Sequence, residues 1–190
     1  MKRSHWKPEC SSPRRYAFLV TQAQQWTIRR ARTSDIRAIA ALIEPLVEAR
    51  VLLGKDLVVL YEAVQEFTVA TTPEGQVVGC GALHVFWENL GEIRTLAVSP
   101  EHVGAGIGTA LVAALEEQAR ELGLGTLFCL TFEVDFFQRN GFHVEEDQIV
   151  DPEVYVELVR SPDEGVAEFL DLARVKPNTL GNSRLVKDLD

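Results

Sequence analysis

The chain has 190 residues, of which 46% are hydrophobic and 25% are charged. These proportions are close to those of globular proteins, so we expect one domain of ordinary size and exclude a large multidomain protein. The formal net charge of −9 argues against nucleic-acid binding, which needs a basic face, and no apolar run approaches the roughly 20 residues of a membrane helix.

Residues 1–26 form a basic extension. They hold five of the 19 Lys and Arg side chains but only one of the 28 Asp and Glu side chains, and they show no sustained hydrophobic period. We therefore predict a poorly ordered extension, followed by one domain over residues 27–190. The short apolar stretch at residues 16–20 is not long enough for a signal-peptide core.

The first half of the domain is predicted to contain a strand, two helices and a β-hairpin. The strand covers residues 27–32, and the Thr-Ser-Asp sequence that follows supplies N-cap chemistry for the first helix. Apolar side chains at helical spacing predict the two helices: Ile36, Ile39, Ile43 and Leu46, and then Leu57, Leu60, Tyr61 and Val64. The hairpin covers residues 67–71 and 76–87, because a Thr-Pro-Glu-Gly turn sequence lies between them.

The second half is predicted to alternate strands with helices. The predicted strands cover residues 92–98, 126–132, 142–146 and 165–175. The predicted helices cover residues 106–122, 134–140 and 151–159. Residues 176–190 are polar and are predicted to be irregular. This order of elements predicts a mixed sheet with helices on both faces.

Three cysteines, Cys10, Cys80 and Cys129, are spread along the chain. Their number is odd, and no pair has the C-x-x-C spacing of a metal or redox site. We therefore predict reduced thiols in a cytoplasmic protein and no metal site.

A glycine-rich loop precedes the long helix at residues 106–122. Gly104, Gly106 and Gly108 alternate there, and glycine permits positive φ without placing a Cβ in the way. Successive backbone N–H groups can thus converge on one anion, which predicts a phosphate or pyrophosphate site. Neither the P-loop nor the dinucleotide fingerprint fits, because Gly108 is followed by Thr109 instead of lysine, glycine or alanine.

Three segments resemble the core motifs of the GCN5-related N-acetyltransferases (GNAT): residues 92–98, 103–108 and 136–142. Within that superfamily the chain is similar to the short amino-acid N-acetyltransferases of actinobacteria, which act as N-acetylglutamate synthases. That similarity is carried by residues 61–67, 78–85, 91–95 and 176–184. The resemblance implies an α/β GNAT fold with a mostly antiparallel central sheet of six to seven strands. It also implies acetyl transfer from acetyl-CoA to the α-amino group of L-glutamate or L-glutamine, the first step of arginine biosynthesis.

The same resemblance implies how acetyl-CoA is held. The pyrophosphate would lie on the amides of the glycine loop, and the pantetheine arm would pair with the preceding strand as an added strand does. The implied contacts are Leu96, Ala97, Val98, Val103, Gly104, Ala105, Gly106, Ile107, Gly108, Thr109 and Phe137. Val103 replaces the Gln or Arg that is common in the family, which removes one side-chain contact but not the amides.

Acetyl transfer to an amine needs a base for the ammonium, a donor for the thioester carbonyl and a proton for the leaving thiolate. By resemblance, Glu92 is the candidate base and Glu133 the reserve, and the backbone N–H of Leu96 polarises the carbonyl. Many relatives use a tyrosine as the acid, but Phe137 occupies that position here. The hydroxyl of Thr131 is the replacement candidate, although Thr131 is equally typical of a plain strand.

An amino-acid substrate carries an α-carboxylate that needs a cation, and arginine suits it best. Lys55 matches a basic substrate contact of related synthases. Arg94 shares a strand face with Glu92, and a charge inside an apolar strand needs a partner. The segment that contains Asn182, Ser183 and Arg184 resembles the tail that closes over glutamate in longer synthases. Each of these side chains also fits ordinary polar surface.

Two alternatives stay open. The first is a GNAT enzyme that acts on another amine, such as a polyamine, an antibiotic or a protein N-terminus, because net acidity attracts cationic acceptors. The second is a non-catalytic acyl-CoA-binding module, because the usual tyrosine is missing. The oligomeric state is also open, with a homodimer among the alternatives, and no nucleic acid, membrane or metal partner is expected.

Overall fold

A computed structural model of the chain describes residues 26–146, 149–170 and 181–189. In these residues seven strands form one sheet: β1 (Thr27–Arg30), β2 (Phe67–Thr71), β3 (Val77–Trp87), β4 (Leu90–Val98), β5 (Thr126–Thr131), β6 (His143–Val144) and β7 (Ser183–Asp188). The same residues form six α-helices: α1 (Ile36–Glu48), α2 (Leu57–Glu62), α3 (Ile107–Leu122), α4 (Val134–Arg139), α5 (Pro152–Leu158) and α6 (Glu164–Phe169). The predicted N-terminal extension lies outside the described residues, apart from Trp26.

The sheet order is β1-β2-β3-β4-β5-β7-β6, and all neighbours are antiparallel except β4 and β5. Successive strand residues pack on opposite sides. Cys80 and Ala82 join the core beneath α1 and α2, whereas Leu83 joins the core beneath α3 and α4. The predicted mixed, mostly antiparallel sheet with helices on both faces is therefore confirmed.

The C-terminal part of the fold differs from its prediction. The predicted strand at residues 165–175 was wrong, because residues 164–169 form α6 and residues 171–175 lie outside the description. Asp163 caps this helix, since its Oδ1 accepts hydrogen bonds from the N–H groups of Gly165 at 2.8 Å and Val166 at 3.1 Å. The last strand is instead β7, inside the tail predicted to be irregular.

A β-bulge interrupts β4 at Thr95. Pairing with β3 shifts between Cys80↔Ala97 and Ala82↔Arg94, and Thr95 has a φ of 55°. Positive φ is rare for a β-branched residue, and such bulges re-aim the side chains that follow. The backbone after Thr95 accordingly turns, so that Ala97 packs beneath α1 while Glu92 and Arg94 share one face before the bulge.

A largely buried ion pair ties β7 to α3. Lys187 Nζ lies 2.6 Å from Glu116 Oε1 and donates to the carbonyl of Asn140 at 2.9 Å. Lys187→Met leaves the Glu116 carboxylate without this partner, so we expect the free energy of unfolding to fall by about 2 kcal/mol in urea titrations. The matched control is Arg160→Met, because the Arg160–Glu157 pair is exposed and should contribute under about 1 kcal/mol. Equal losses in the two variants would contradict the assignment.

Candidate active site

A cleft opens where β4 and β5 separate. Their parallel pairing joins Leu90–Glu92 to Thr126–Phe128 and, within the described ranges, goes no further. The backbone of Leu96–Val98 therefore pairs with β3 on one side and lacks a β5 partner on the other. A backbone edge left open between two strands can accept an extended amide-bearing chain, as the predicted pantetheine contact requires.

The glycine loop lies at the adjacent end of β4. Gly104 and Gly106 have φ values of 85° and 80°, and a Cβ on either would meet no atom within 4 Å. In the part of the chain that the structure describes, no backbone carbonyl accepts from the amides of residues 106–109, whereas the amide of Ala110 bonds to the Gly106 carbonyl at 3.1 Å. These open amides at the start of the 16-residue helix α3 can hold a pyrophosphate.

Two phenylalanines of α4 support the loop in different ways. A Cβ on Gly108 would lie 3.1 Å from the Phe136 ring, so a larger residue would require the ring to shift by a few tenths of an ångström. The next ring, Phe137, is 4% exposed and packs edge-on against Phe136 and Phe142. Phe137 thus lies in the core beneath the loop, and Phe136 is the ring that reaches the loop itself.

Glu92 is a buried carboxylate in the middle of the cleft. It is 4% exposed, and its Oε2 accepts no hydrogen bond from any described residue. Gly165 covers it, because a Cβ built there would lie 3.4 Å from Oε2. Burial raises the pKa of Glu92 and outweighs the opposing effect of the Arg94 charge. A carboxyl with a raised pKa is suited to accept a proton near neutral pH.

The guanidinium of Arg94 lies beside this carboxylate. Nη1 is 3.7 Å from Glu92 Oε2 and 3.1 Å from Asp163 Oδ2, and Nη2 donates to Glu66 Oε2 at 2.8 Å. Burial alone would lower the pKa of Arg94, but the three carboxylates outweigh it and raise the pKa. Arg94 therefore stays charged and already has protein partners at both of its terminal nitrogens.

Lys55 approaches the same cleft from the loop between α1 and α2. Its Nζ lies 3.9 Å from Asp163 Oδ2, a looser contact than those of Arg94. A cavity of about 50 Å³ is lined by Lys55, Glu92, Arg94, Thr95, Leu130 and Asn182, together with Gly165 and residues 51–53. The structure thus brings Lys55, Arg94, Asn182 and Glu92 together.

The predicted acid, the reserve base and the rest of the predicted tail do not line this cavity. Thr131 ends β5 opposite Ser183, and its hydroxyl accepts a hydrogen bond from the N–H of Glu133 at 2.9 Å. That contact leaves the hydroxyl proton able to point elsewhere. Glu133 is exposed. Arg184 donates to the carbonyl of Phe169 at 2.8 Å and stacks on its ring, so it holds the end of α6.

Three charged or titratable residues of the site were missed by the sequence analysis. Glu66 bonds to Arg94 and also to His84 Nδ1 at 2.9 Å, and His84 lies directly opposite Glu92 across β3 and β4. Asp163 joins Arg94 and Lys55 at the start of α6. The cap pattern of an aspartate two residues before Gly165 could have located α6, but nothing local indicates that Asp163 reaches the cleft.

The cysteines do not contribute to this site chemistry. Cys80 and Cys129 are free and buried, and burial raises the pKa of Cys80 to about 12. Both thiols are therefore unreactive at neutral pH. Across the three described ranges, no group of His, Cys, Asp and Glu has the arrangement of a metal site. No helix among these residues has the length and apolar character needed to span a membrane.

Comparison with known proteins places this geometry among acetyltransferases. A model of the acetyltransferase (GNAT) family matches residues 24–142. An amino-acid acetyltransferase of Mycobacterium tuberculosis is 57% identical over 161 residues, which cover 84% of this chain and 92% of that protein. An amino-acid acetyltransferase of Pseudomonas putida is 36% identical over 126 residues, or 65% of this chain and only 29% of that longer protein.

Solved structures agree with these matches. The crystal structure of Rv2747 from Mycobacterium tuberculosis, in complex with CoA and a second ligand, has a TM-score of 0.83 and 56% identity, covering 86% of this chain and 99% of that one. N-acetylglutamate synthase from Neisseria gonorrhoeae, complexed with coenzyme A and N-acetyl-glutamate, has a TM-score of 0.69 and 30% identity, covering 87% of this chain and 35% of that one.

Proposed function

Because the chain belongs to the acetyltransferase (GNAT) family, we propose that it transfers the acetyl group of acetyl-CoA to the α-amino group of L-glutamate or L-glutamine. One observation carries the proposal: a buried carboxylate, Glu92, lies at the point where β4 and β5 separate, and the open amides before α3 follow the end of the same strand β4. The names of the relatives agree with it. The predicted family is confirmed, and this reaction would begin arginine biosynthesis.

Residues 103–109 and Leu96–Val98 would hold acetyl-CoA, which supplies an activated acetyl group as a thioester. The amides of residues 106–109 face outward at the positive end of α3, which suits a pyrophosphate. The open edge of Leu96–Val98 suits the amides of the pantetheine arm. The turn at Thr95 presents the Leu96 backbone to the cleft, where an N–H can polarise the acetyl carbonyl.

Two side chains carry out the proton transfers. Glu92 takes the proton of the substrate ammonium, because its pKa is raised and its Oε2 accepts no hydrogen bond from the described residues. Thr131, its oxygen oriented by the Glu133 amide, gives its hydroxyl proton to the leaving sulfur and regains one from the nitrogen of the tetrahedral intermediate. Phe137, which occupies the position of the usual tyrosine, lies in the core and has no hydroxyl proton to donate. The acid is therefore a different residue.

Of the two cations among the described residues that line the cavity, Lys55 would bind the substrate α-carboxylate, because Arg94 is engaged by Glu66 and Asp163. We expect Lys55→Met to raise the KM for the amino acid about tenfold or more and to change the KM for acetyl-CoA less than twofold. Steady-state kinetics with each substrate varied in turn checks this. Arg160→Met, which removes an exposed cation paired with Glu157, is the control and should change neither KM. Equal effects on both substrates would remove Lys55 from the acceptor site.

The acceptor is tested by measuring thiol release from acetyl-CoA with a panel of amines. We expect turnover with glutamate or glutamine and at least tenfold lower kcat/KM with spermine, spermidine and a peptide N-terminus. Turnover on a polyamine without turnover on either amino acid would assign the chain to another acceptor. Stabilisation by CoA without thiol release on any amine would mark a binding module.

A further inference from the structure

Four ionisable side chains extend the site beyond the cleft in one continuous series. His84 pairs with Glu66 at 2.9 Å, Glu66 pairs with Arg94 at 2.8 Å, and Arg94 pairs with Asp163 at 3.1 Å. They come from β3, the turn before β2, β4 and the residue before α6. The proposed reaction gives none of Glu66, His84 or Asp163 a part, although all three are half-buried and paired.

The arrangement fixes the Arg94 guanidinium from both ends. Glu66 holds Nη2 and Asp163 holds Nη1, and the same Nη1 lies 3.7 Å from Glu92 Oε2. Arginine presents its donors in a rigid fork, so two carboxylates on different nitrogens define both its position and its rotation. Without them, the long side chain has rotamers that lead away from Glu92.

The carboxylates of Glu66 and Asp163 remain ionised. Burial alone would raise the pKa of Glu66, but the hydrogen bond from His84 and the charge of Arg94 outweigh burial and lower it. Burial alone would also raise the pKa of Asp163, but the charges of Arg94 and Lys55 outweigh burial and lower it. Both groups can therefore hold Arg94 across the neutral range.

We infer that Glu66 and Asp163 are positioning residues of acetyl transfer, which hold Arg94 against Glu92 so that this base can ionise inside the cleft. The inference rests on the proposed function, because it takes Glu92 as the base. Arg94 then serves the base and not the substrate, which leaves the substrate carboxylate to Lys55. The titratable and charged groups that act on Glu92 from the surrounding elements are Lys55, His84, Arg94, Cys129 and Asp163.

A variant of Glu66 distinguishes the positioning of Arg94 from a direct effect of charge on Glu92. Glu66 contacts both Arg94 and His84, whose charges act on Glu92, whereas Asp163 is a like charge that also acts on Glu92 directly. Loss of a distant negative charge can only favour ionisation of Glu92, whereas release of Arg94 disfavours it. The two explanations predict opposite shifts of the Glu92 titration in Glu66→Gln.

The test is an NMR titration of the Glu92 side-chain carboxyl carbon in the full chain, which does not depend on turnover. We expect the midpoint to move to higher pH in Glu66→Gln and Arg94→Gln, and the double variant to match Arg94→Gln alone. Glu66→Asp keeps the charge but shortens the side chain, so it should also move the midpoint upward and serves if Glu66→Gln does not fold. Glu116→Gln removes a carboxylate that is similarly buried and paired elsewhere, so it should lower thermal stability without moving the midpoint.

An unchanged or lower midpoint in Glu66→Gln or Glu66→Asp would overturn the inference. So would an upward shift from Glu66→Gln that persists when Arg94 is already glutamine, or an equal shift in Glu116→Gln. The pH profile of kcat/KM should follow the titration, with the acid limb displaced in the same direction. If the unaltered chain acetylates no amino acid, the proposed function fails, whereas the NMR titration still decides whether Glu66 acts through Arg94.

Discussion

Glu92→Gln is expected to lower kcat by about 10²–10⁴-fold at neutral pH, which is the range of general-base catalysis. Glutamine fills the same space but cannot take the ammonium proton. The residual rate should rise with pH, because substrate that loses its proton in solution no longer needs the base. Steady-state rates between pH 6 and 10, with acetyl-CoA affinity measured by calorimetry, check both points, and the affinity should change less than twofold.

The raised pKa of Glu92 also predicts how Glu92→Gln changes thermal stability. Because burial raises the pKa of Glu92, the folded chain binds this proton more tightly than the unfolded chain does. Glu92 therefore costs stability as the pH rises above the ordinary glutamate value, and stability is recovered below it. We expect Glu92→Gln to melt at a higher temperature than the unaltered chain at pH 8, with the difference vanishing near pH 4.

Glu133→Gln is the matched control for both measurements. Glu133 is the reserve base but is exposed, so its replacement should change kcat less than threefold and leave the melting temperature unaltered. If Glu133→Gln were the slow variant and Glu92→Gln retained activity, the base would have been assigned to the wrong carboxylate. Equal pH profiles for Glu92→Gln and the unaltered chain would also exclude Glu92.

Local features explain how much of the fold and site could be predicted. Alternating glycines before an amphipathic helix indicate an anion site without reference to the rest of the chain, and the structure gives Gly104 and Gly106 the positive φ that this requires. The strand alternation that puts Glu92 and Arg94 on one face is also local, and the two side chains do lie together.

The unpredicted parts depend on tertiary contacts. In β7, Leu185 and Val186 are both buried because the sheet is covered on both faces, so no alternating pattern shows in the sequence. In α6, an apolar run with valine and phenylalanine reads as a strand, and the helix forms because Asp163 caps it. The bulge at Thr95 is disfavoured locally and is imposed by pairing with β3.

The partners of Arg94 could not be predicted from the sequence for the same reason. Glu66 and His84 meet because β2 and β3 pair antiparallel beside β4, and Asp163 arrives from almost 70 residues further along the chain than Arg94. Glu66 and Asp163 each lie directly before an element, where polar residues are common, and His84 lies within β3. Strand register brings Glu66 and His84 to Arg94, and the packing of α6 brings Asp163 there.

Gly106→Asp is expected to lower the affinity for CoA by about 100-fold or more. Gly106 has a φ of 80° and open space around a built Cβ, so an aspartate would fit sterically and place its carboxylate among the amides meant for the pyrophosphate. Two like charges about 4 Å apart near a protein surface repel by about 4 kcal/mol, which exceeds the conformational cost of roughly 1–2 kcal/mol. Isothermal titration with CoA measures the loss.

Gly106→Asn separates charge from conformation in that experiment. Asparagine has nearly the same shape as aspartate and tolerates positive φ, but it carries no charge. We expect this variant to bind CoA within about tenfold of the unaltered chain, and the loss in Gly106→Asp to shrink as salt is added, since screening weakens exposed repulsion. Equal losses in the two variants would show that backbone conformation at Gly106 matters and that its amide neighbours do not hold the diphosphate.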